Sequence, residues 1–208
     1  MAKGLFITLE GTDGVGKSTQ CALLIAYFEQ KNKDAISIRE PGSTKIGEQI
    51  RQILKDKSND NISFFTESYL YAAARAQLVE EIIKPALTQN KIVICDRFLD
   101  SSLVYQGVAR GLGIDTVEKI NAHALQNIKP NITFFLDVDP NISLDRIGAE
   151  KELDRIEMEG INFQKKVYDG YISLSKSKGK DFCVLDGTKT PEEVHKQLVQ
   201  TLLNKELI

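Results

Sequence analysis

The sequence of 208 residues lacks the features of several protein classes. It has three cysteines, Cys21, Cys95 and Cys183. An odd number of widely separated cysteines in apolar surroundings indicates buried, reduced thiols rather than disulfides. The two histidines have no cysteine or histidine close by, which argues against a structural zinc site. We therefore expect neither a disulfide framework nor a structural zinc ion.

Neither charge of one sign nor a long apolar run dominates the chain. With 27 basic and 29 acidic residues, the formal net charge is −2. A near-neutral chain lacks the uncompensated Lys and Arg that non-specific nucleic-acid binding needs. The first apolar run, at residues 5–9, is too short for a signal peptide or a membrane span. We expect a cytoplasmic protein that binds neither nucleic acid nor membrane.

Five short apolar runs alternate with helix-like stretches. Several runs are apolar at consecutive positions, which is typical of strands buried on both faces of a parallel sheet. The predicted strands are 5–9, 35–38, 92–95, 132–136 and 182–185. The predicted helices are 18–30, 66–87, 117–128, 163–177 and 191–203, the last opening with a Thr190 cap, Pro191 and Glu193. This alternation predicts one three-layer α/β domain over residues 1–208.

A charged segment at about 146–159 interrupts this pattern. It contains Arg146 and Arg155 among alternating acidic and basic residues, with Gly148 between them. One interpretation is a solvated surface helix, as charge runs usually are. The other is a mobile lid that brings arginine to a phosphate site.

The most specific motif is Gly11-x-x-x-x-Gly16-Lys17-Ser18, directly after the first predicted strand and directly before the first predicted helix. Its glycines let backbone N–H groups turn toward phosphate oxygens, and the helix N-terminus adds its positive dipole end. Lys17 suits the β- and γ-phosphates, and the Ser18 hydroxyl suits Mg²⁺. The predicted ATP-binding loop comprises Gly11, Thr12, Asp13, Gly14, Val15, Gly16, Lys17, Ser18 and Thr19.

This motif leaves the acceptor of the phosphoryl group open. A GTPase switch needs Asn-Lys-x-Asp, and neither Asn32-Lys33 nor Asn90-Lys91 is followed by Asp at the required place. A chain of 208 residues leaves little room for the coupling elements of a motor ATPase. A small-molecule kinase is favoured, with a nucleotide-gated binding protein as the alternative that is not an enzyme.

Polar residues follow the predicted strands at the places where an acceptor would bind. Asp96 and Arg97 end the third strand, and ligands gather at the carboxyl ends of parallel strands. Asp96 suits a Mg²⁺ shell beside Ser18, and Arg97 suits a forked contact to an acceptor phosphate. Tyr71 and Arg75 lie four residues apart on one helix face. They either stack and read a planar base or form an exposed helix surface.

Together these motifs resemble the thymidylate kinase family. The matching motifs are Gly11…Lys17-Ser18, Arg39-Glu40-Pro41-Gly42, Ala73-Ala74-Arg75-Ala76-Gln77-Leu78, Asp96-Arg97, Tyr105-Gln106-Gly107 and Leu153-Asp154-Arg155-Ile156-Glu157. Their order and spacing match over residues 5 to about 187. The resemblance implies a five-stranded parallel sheet of order 2-3-1-4-5, transfer of the ATP γ-phosphoryl group to dTMP with Mg²⁺, and a homodimer. The alternative is a deoxynucleoside kinase or another pyrimidine monophosphate kinase.

The resemblance also implies roles for single residues on the acceptor side. Tyr71 takes the place of the family's usual phenylalanine stacked on thymine. Arg97 would hold the monophosphate, and Asp13 would address the sugar 3′-hydroxyl or the acceptor phosphate region. The other implied dTMP-binding residues are Arg39, Arg75 at a thymine carbonyl, Ser101 and Ser102 at the base edge, Tyr105 at the 2′ position, and Gln106. The peptide bond before Pro41 is commonly cis in the family.

The source of the catalytic arginine also follows from the resemblance. The phosphate loop contains no arginine, so the resemblance implies the mostly bacterial branch in which the lid supplies it. The predicted catalytic residues are Lys17, Arg97, Arg155 and Arg146, with Arg155 in catalysis and Arg146 flanking adenine or the phosphates, or the two exchanged. The adenine pocket is expected near residues 186–190. Of the seven arginines, Arg51 is interpreted as plain surface.

Overall fold

A five-stranded parallel sheet lies at the centre of the computed structural model, which describes residues 4–147 and 153–208. The strand order β2-β3-β1-β4-β5 confirms the order that the resemblance implied. The strands are β1 (Leu5–Glu10), β2 (Ala35–Arg39), β3 (Ile92–Asp96), β4 (Ile132–Asp137) and β5 (Phe182–Asp186). Residues 148–152 of the predicted lid lie outside the described residues.

Every strand is one residue longer at its carboxyl end than its apolar run. In each case the added residue is charged, because main-chain pairing continues past the last apolar side chain. The parallel register sets Arg39 beside Asp96 and Asp137 beside Asp186. The carboxyl edge of the sheet is therefore lined with charge, where a ligand of this type of sheet would bind.

The predicted helices form, with shifted ends, and further helices connect the strands. The helices are α1 (Lys17–Gln30), α2 (Lys45–Lys55), α3 (Phe64–Leu78), α4 (Lys84–Thr88), α5 (Leu99–Ser102), α6 (Ile114–Leu125), α7 (Pro140–Ile147), α8 (Gly160–Ser177) and α9 (Pro191–Asn204). A π-helical segment at Val79–Ile83 divides the predicted helix 66–87 into α3 and α4, and a second follows α5 at Leu103–Ala109. Thr190 and Glu193 form the predicted capping box of α9.

Helix α2 was not predicted, although Ile46, Ile50 and Ile53 recur at helical spacing. Of its eleven residues only Gly47 and Leu54 are buried, while Ile46 and Ile53 are exposed. A capping signal was available in the sequence: Thr44 Oγ1 accepts the Gly47 N–H at 2.9 Å.

Apolar layers cover both faces of the sheet, as predicted. On one face Leu24, Phe28 and Leu198 from α1 and α9 pack against β1, β3 and β4. On the other face lie two clusters, one around Phe6 and Leu78 and one around Phe135 and Tyr171. Burying a side chain of this size contributes about 1.5–3 kcal/mol, so these layers fix the sheet edge as a rigid platform.

The cysteines and the helix lengths of the described residues are as follows. All three cysteines are free thiols, with Cys21 and Cys95 buried and Cys183 partly buried. Within residues 4–147 and 153–208, none of the helices is long and apolar enough to cross a bilayer.

Candidate active site

The Gly-rich motif forms the loop between β1 and α1. Gly11 has φ +138° and Gly16 has φ +97°, a region that L side chains rarely adopt. A Cβ on Gly11 would lie 3.0 Å from the Leu136 carbonyl oxygen, so the loop packs closely against β4. Lys17 Nζ donates to the carbonyls of Gly11 at 3.2 Å and Thr12 at 2.7 Å. The lysine ammonium therefore lies over the loop, where a phosphate chain would be cradled.

Ser18 and Asp96 meet at the mouth of this loop. The Ser18 hydroxyl donates to Asp96 Oδ2 at 2.9 Å, joining the first turn of α1 to the end of β3. Among the described residues, no three His, Cys, Asp or Glu side chains are grouped as a complete metal site. A hydroxyl and a carboxylate beside a phosphate cradle fit Mg²⁺, which protein side chains usually hold with only one or two oxygens.

Arg97 follows β3 and lines the cleft beside the phosphate loop. It adopts φ +69°, and its Nη2 donates to Asp13 Oδ1 at 2.9 Å and to the Tyr105 hydroxyl at 3.1 Å. Its Nη1 donates to Ser101 Oγ at 3.1 Å. Although burial raises the pKa of Asp13, the charges of Arg97 and Lys17 outweigh it and hold that pKa well below its usual range. Arg97 is thus fixed as a partly buried cation facing the cleft.

Glu10 was not predicted as a site residue. It contacts Ser101, which is also a hydrogen-bond partner of Arg97. Its fully buried carboxylate accepts the Phe98 N–H at 2.8 Å, Ser101 Oγ at 2.5 Å and the Tyr171 hydroxyl at 2.8 Å. Burial, with the charge of Asp100, raises the pKa of Glu10 to about 7. The sequence signal that could have identified Glu10 as a site residue is its position as a carboxylate at the end of an otherwise apolar strand.

A pocket beside Arg97 brings together most of the predicted dTMP-binding residues. Eight of the nine line it: Asp13, Tyr71, Arg75, Arg97, Ser101, Ser102, Tyr105 and Gln106. The ninth, Arg39, lines the neighbouring cleft of the phosphate loop instead. Its side chain is 51% exposed and pairs with Glu48 at 2.8 Å. The structure therefore separates Arg39 from the other eight.

Arg75 is held rigidly in the wall of that pocket. Its Nε donates to Glu40 Oε2 at 2.9 Å, and its Nη2 donates to Ser102 Oγ at 3.0 Å. Nη1 donates to Asn121 Oδ1 and carries a second N–H beyond that bond. Burial raises the pKa of Glu40, while the charge of Arg75 opposes that rise. The peptide bond between Glu40 and Pro41 is cis.

Arg51 is not plain surface, contrary to the interpretation from the sequence. It lines both the acceptor pocket and the phosphate-loop cleft, and its Nη1 donates to the Pro41 carbonyl at 2.9 Å. Burial, with the charge of Arg39, lowers its pKa. Lys55, on the same helix, also lines both cavities and pairs with Asp154 at 2.6 Å. Both residues were missed because α2, which positions them, was not predicted.

The two arginines of the predicted lid lie in different places. Arg146 Nη1 donates to the Gly187 carbonyl at 3.0 Å and lines a cavity beside Gly16 and Lys189, where the adenine pocket was expected. Arg155 is buried: its Nη2 donates to Glu67 at 2.7 Å and its Nε donates to the Leu54 carbonyl at 2.8 Å.

Among the described residues that line the phosphate-loop cleft, Arg155 is not included. The structure therefore brings Lys17 and Arg97 together at that cleft and leaves Arg155 outside it. Arg146 borders the adjoining cavity, which shares Gly14 and Gly16 with the cleft.

The chain is similar to known proteins over most of its length. A family model described as Thymidylate kinase matches residues 9–198. The chain is 46% identical to the thymidylate kinase of Finegoldia magna, covering 98% of this chain and 100% of that protein. It is 48% identical to that of Thermoanaerobacter sp. strain X514, covering 96% and 98% respectively. It is 42% identical to that of Bacillus mycoides, covering 98% and 99%. The chain therefore belongs to the thymidylate kinase family.

Proposed function

We propose that this protein transfers the γ-phosphoryl group of ATP to dTMP, giving dTDP for dTTP synthesis. The observation that carries the proposal is the position of Arg97 and Asp13, which line both the phosphate-loop cleft and the acceptor pocket. A donor phosphate on the loop and an acceptor phosphate at Arg97 would then face each other across one short gap. Such positioning of the two reactants accounts for much of the rate enhancement in enzymatic phosphoryl transfer.

On the donor side, the loop 11–19 holds the phosphates of ATP. Arg146, anchored to the Gly187 carbonyl, flanks the adenine in the cavity between the loop and the segment after β5. Lys17 places its ammonium against the transferring group, since its carbonyl partners hold it over the loop. Positive charge near the equatorial oxygens stabilises the charge that spreads over them in the transition state.

On the acceptor side, Arg97 binds the monophosphate and the pocket binds the base. The Tyr71 ring stacks on the base, and the second Nη1 hydrogen of Arg75 donates to a carbonyl on its edge. Tyr105 is buried, and the Arg97 guanidinium lies 5.0 Å from the centre of its ring. Because the ring is held in place, it would clash with the 2′-hydroxyl of a ribonucleotide. A pocket built to bind a phosphate favours a nucleotide over the nucleoside that a deoxynucleoside kinase accepts.

Mg²⁺ is the implied cofactor. Ser18 and Asp96 would hold it, with phosphate oxygens and water as its remaining ligands. When bound, it neutralises charge on the β- and γ-phosphates.

The catalytic role predicted for Arg155 stays a prediction. In the arrangement described, its guanidinium is committed to Glu67 and to the Leu54 carbonyl. Reaching the transferring phosphoryl group would require the buried pair with Glu67 to open. Lys17 and Arg97 already lie at the cleft without such a change, and we propose that they supply most of the positive charge.

A homodimer is the proposed assembly. Helix α3 exposes Phe65, Tyr69 and Ala73, which are spaced four residues apart and so share one face. Two large exposed aromatic residues on one helix face are typical of an interaction surface. The cytoplasmic location stays a prediction.

Purified protein with ATP, Mg²⁺ and one nucleoside monophosphate at a time tests the proposed function. We expect ADP release to be fastest with dTMP, and slow with AMP, GMP, CMP and thymidine. ADP release no faster with dTMP than with the others would refute it. A nucleotide-gated binding protein would instead bind ATP and show no turnover that depends on an acceptor.

A further inference from the structure

Glu67 joins three elements of the fold through one buried carboxylate. It lies on α3 one turn before Tyr71 and two turns before Arg75, so the three side chains share a helix face. Its side chain has no exposed surface. Oε1 accepts from Gln106 Nε2 at 3.0 Å, and Oε2 accepts from Arg155 at 2.7 Å. Arg110 donates to both oxygens at 3.2 Å.

These bonds determine which way the Gln106 amide points. A carboxylate can only accept hydrogen bonds, so the atom of Gln106 that faces Glu67 must be the Nε2 donor. The amide oxygen Oε1 then points away from Glu67. Gln106 is buried and lines the acceptor pocket beside Ser102 and Arg75. With Nε2 committed to Glu67, Oε1 is the amide atom left to accept a hydrogen bond in the pocket, beside the Arg75 guanidinium.

A fixed donor and a fixed acceptor together discriminate between pyrimidines. Thymine and uracil have a carbonyl at C4 and a hydrogen on N3, which match a donor followed by an acceptor. Cytosine has the reverse, an amino group at C4 and a bare N3. A site with buried polar groups strongly rejects a ligand that leaves them unpaired.

We infer that Glu67 is a positioning residue that fixes the Gln106 amide and thereby makes the pocket select pyrimidines with a hydrogen on N3. This inference rests on the proposed function. Glu67 does not touch the base: it acts through Gln106, and its bond to Arg155 ties the segment after residue 152 to the same carboxylate.

The test is the selectivity of Glu67→Gln, measured as kcat/KM for dTMP, dUMP and dCMP. The amide at position 67 can donate as well as accept, so Gln106 is free to turn over. We expect kcat/KM for dTMP and dUMP to fall together by roughly 10- to 100-fold, while that for dCMP changes far less. Glu67→Asp, which keeps the carboxylate, should retain more of the selectivity. Glu80→Gln, which changes an exposed carboxylate in the π-helical segment Val79–Ile83, is the matched control and should leave kcat/KM for all three substrates unchanged.

A double-mutant cycle separates positioning from a merely structural role. Gln106→Met removes the amide, so adding Glu67→Gln to it should cause no further loss of selectivity. Equal losses for all three substrates, or multiplied losses of selectivity in the double variant, would overturn the inference. If Glu67→Gln does not fold, a ratio of kcat/KM for dTMP to kcat/KM for dCMP that is unchanged in Gln106→Met would overturn it. A wild-type protein without turnover on dTMP would instead refute the proposed function.

Discussion

The buried carboxyl of Glu10 makes the stability of this protein depend on pH in a way that a single substitution isolates. Its folded-state pKa of about 7 lies above the ordinary value of 4.5, chiefly because burial penalises the charged form. A rise of this size corresponds to about 3 kcal/mol. Glu10→Gln keeps the shape of the side chain and removes the titration.

The sign follows from which state holds the proton. Below pH 4.5 both the folded and the unfolded chain are protonated at Glu10, and its contribution to stability is fully present. As the pH rises toward 7, the unfolded chain loses this proton first, so stability is lost until the folded state ionises as well. The wild-type free energy of unfolding should therefore fall relative to that of Glu10→Gln by most of about 3 kcal/mol between pH 5 and pH 8.

Urea unfolding followed by circular dichroism at pH 5, 6, 7 and 8 measures this difference. Comparing the two proteins at each pH cancels the other titrating groups, and any constant cost of the amide appears only as an offset. Glu118→Gln, at an exposed position of α6, is the control and should track the wild type. A difference between wild type and Glu10→Gln that stays flat from pH 5 to pH 8 would refute the reasoning.

Three other expectations concern single residues, and initial-rate kinetics or sedimentation checks them. Arg97→Ala should raise KM for dTMP by roughly 10- to 100-fold with little change in KM for ATP, because it removes charge-assisted bonds to the acceptor phosphate. An unchanged KM for dTMP would contradict that assignment. Arg155→Ala should raise KM for dTMP and lower kcat by much less than the roughly 10³-fold typical of a lost catalytic arginine, since the guanidinium pairs with Glu67. A kcat loss of that full size with unchanged KM would instead support the catalytic role predicted for Arg155. Tyr69→Glu should shift the sedimentation coefficient to that of a monomer, and an unshifted value would place the interface elsewhere.

The fold was largely predictable because its signals are local in the sequence. Consecutive apolar residues bounded by polar ones mark strands buried on both faces, and the Gly-rich motif marks the turn from β1 to α1. Helix α2 was overlooked although Ile46, Ile50 and Ile53 recur at helical spacing. The π-helical segment Leu103–Ala109 escaped because its turns depart from the 3.6-residue repeat of an α-helix.

The site was predictable where motif residues lie next to strand ends. Asp96 and Arg97 follow β3 directly, so a parallel sheet places them at the ligand edge whatever the details of packing. Arg51 and Glu67 carry no such signal, and Glu10 ends β1 without belonging to any of the motifs recognised. Each acquires its role from partners that are distant in the chain.

The sequence by itself determined the phosphate loop and the family, since both depend on residue types at fixed spacing, and the order of the sheet was implied by the resemblance to that family. Only the tertiary structure decided how the arginines are used. It places Arg51 at the junction of both cavities, and it commits Arg155 to the carboxylate of Glu67, 88 residues away. A guanidinium pairs with whichever oxygens the fold brings within about 3 Å, and sequence spacing does not determine that distance.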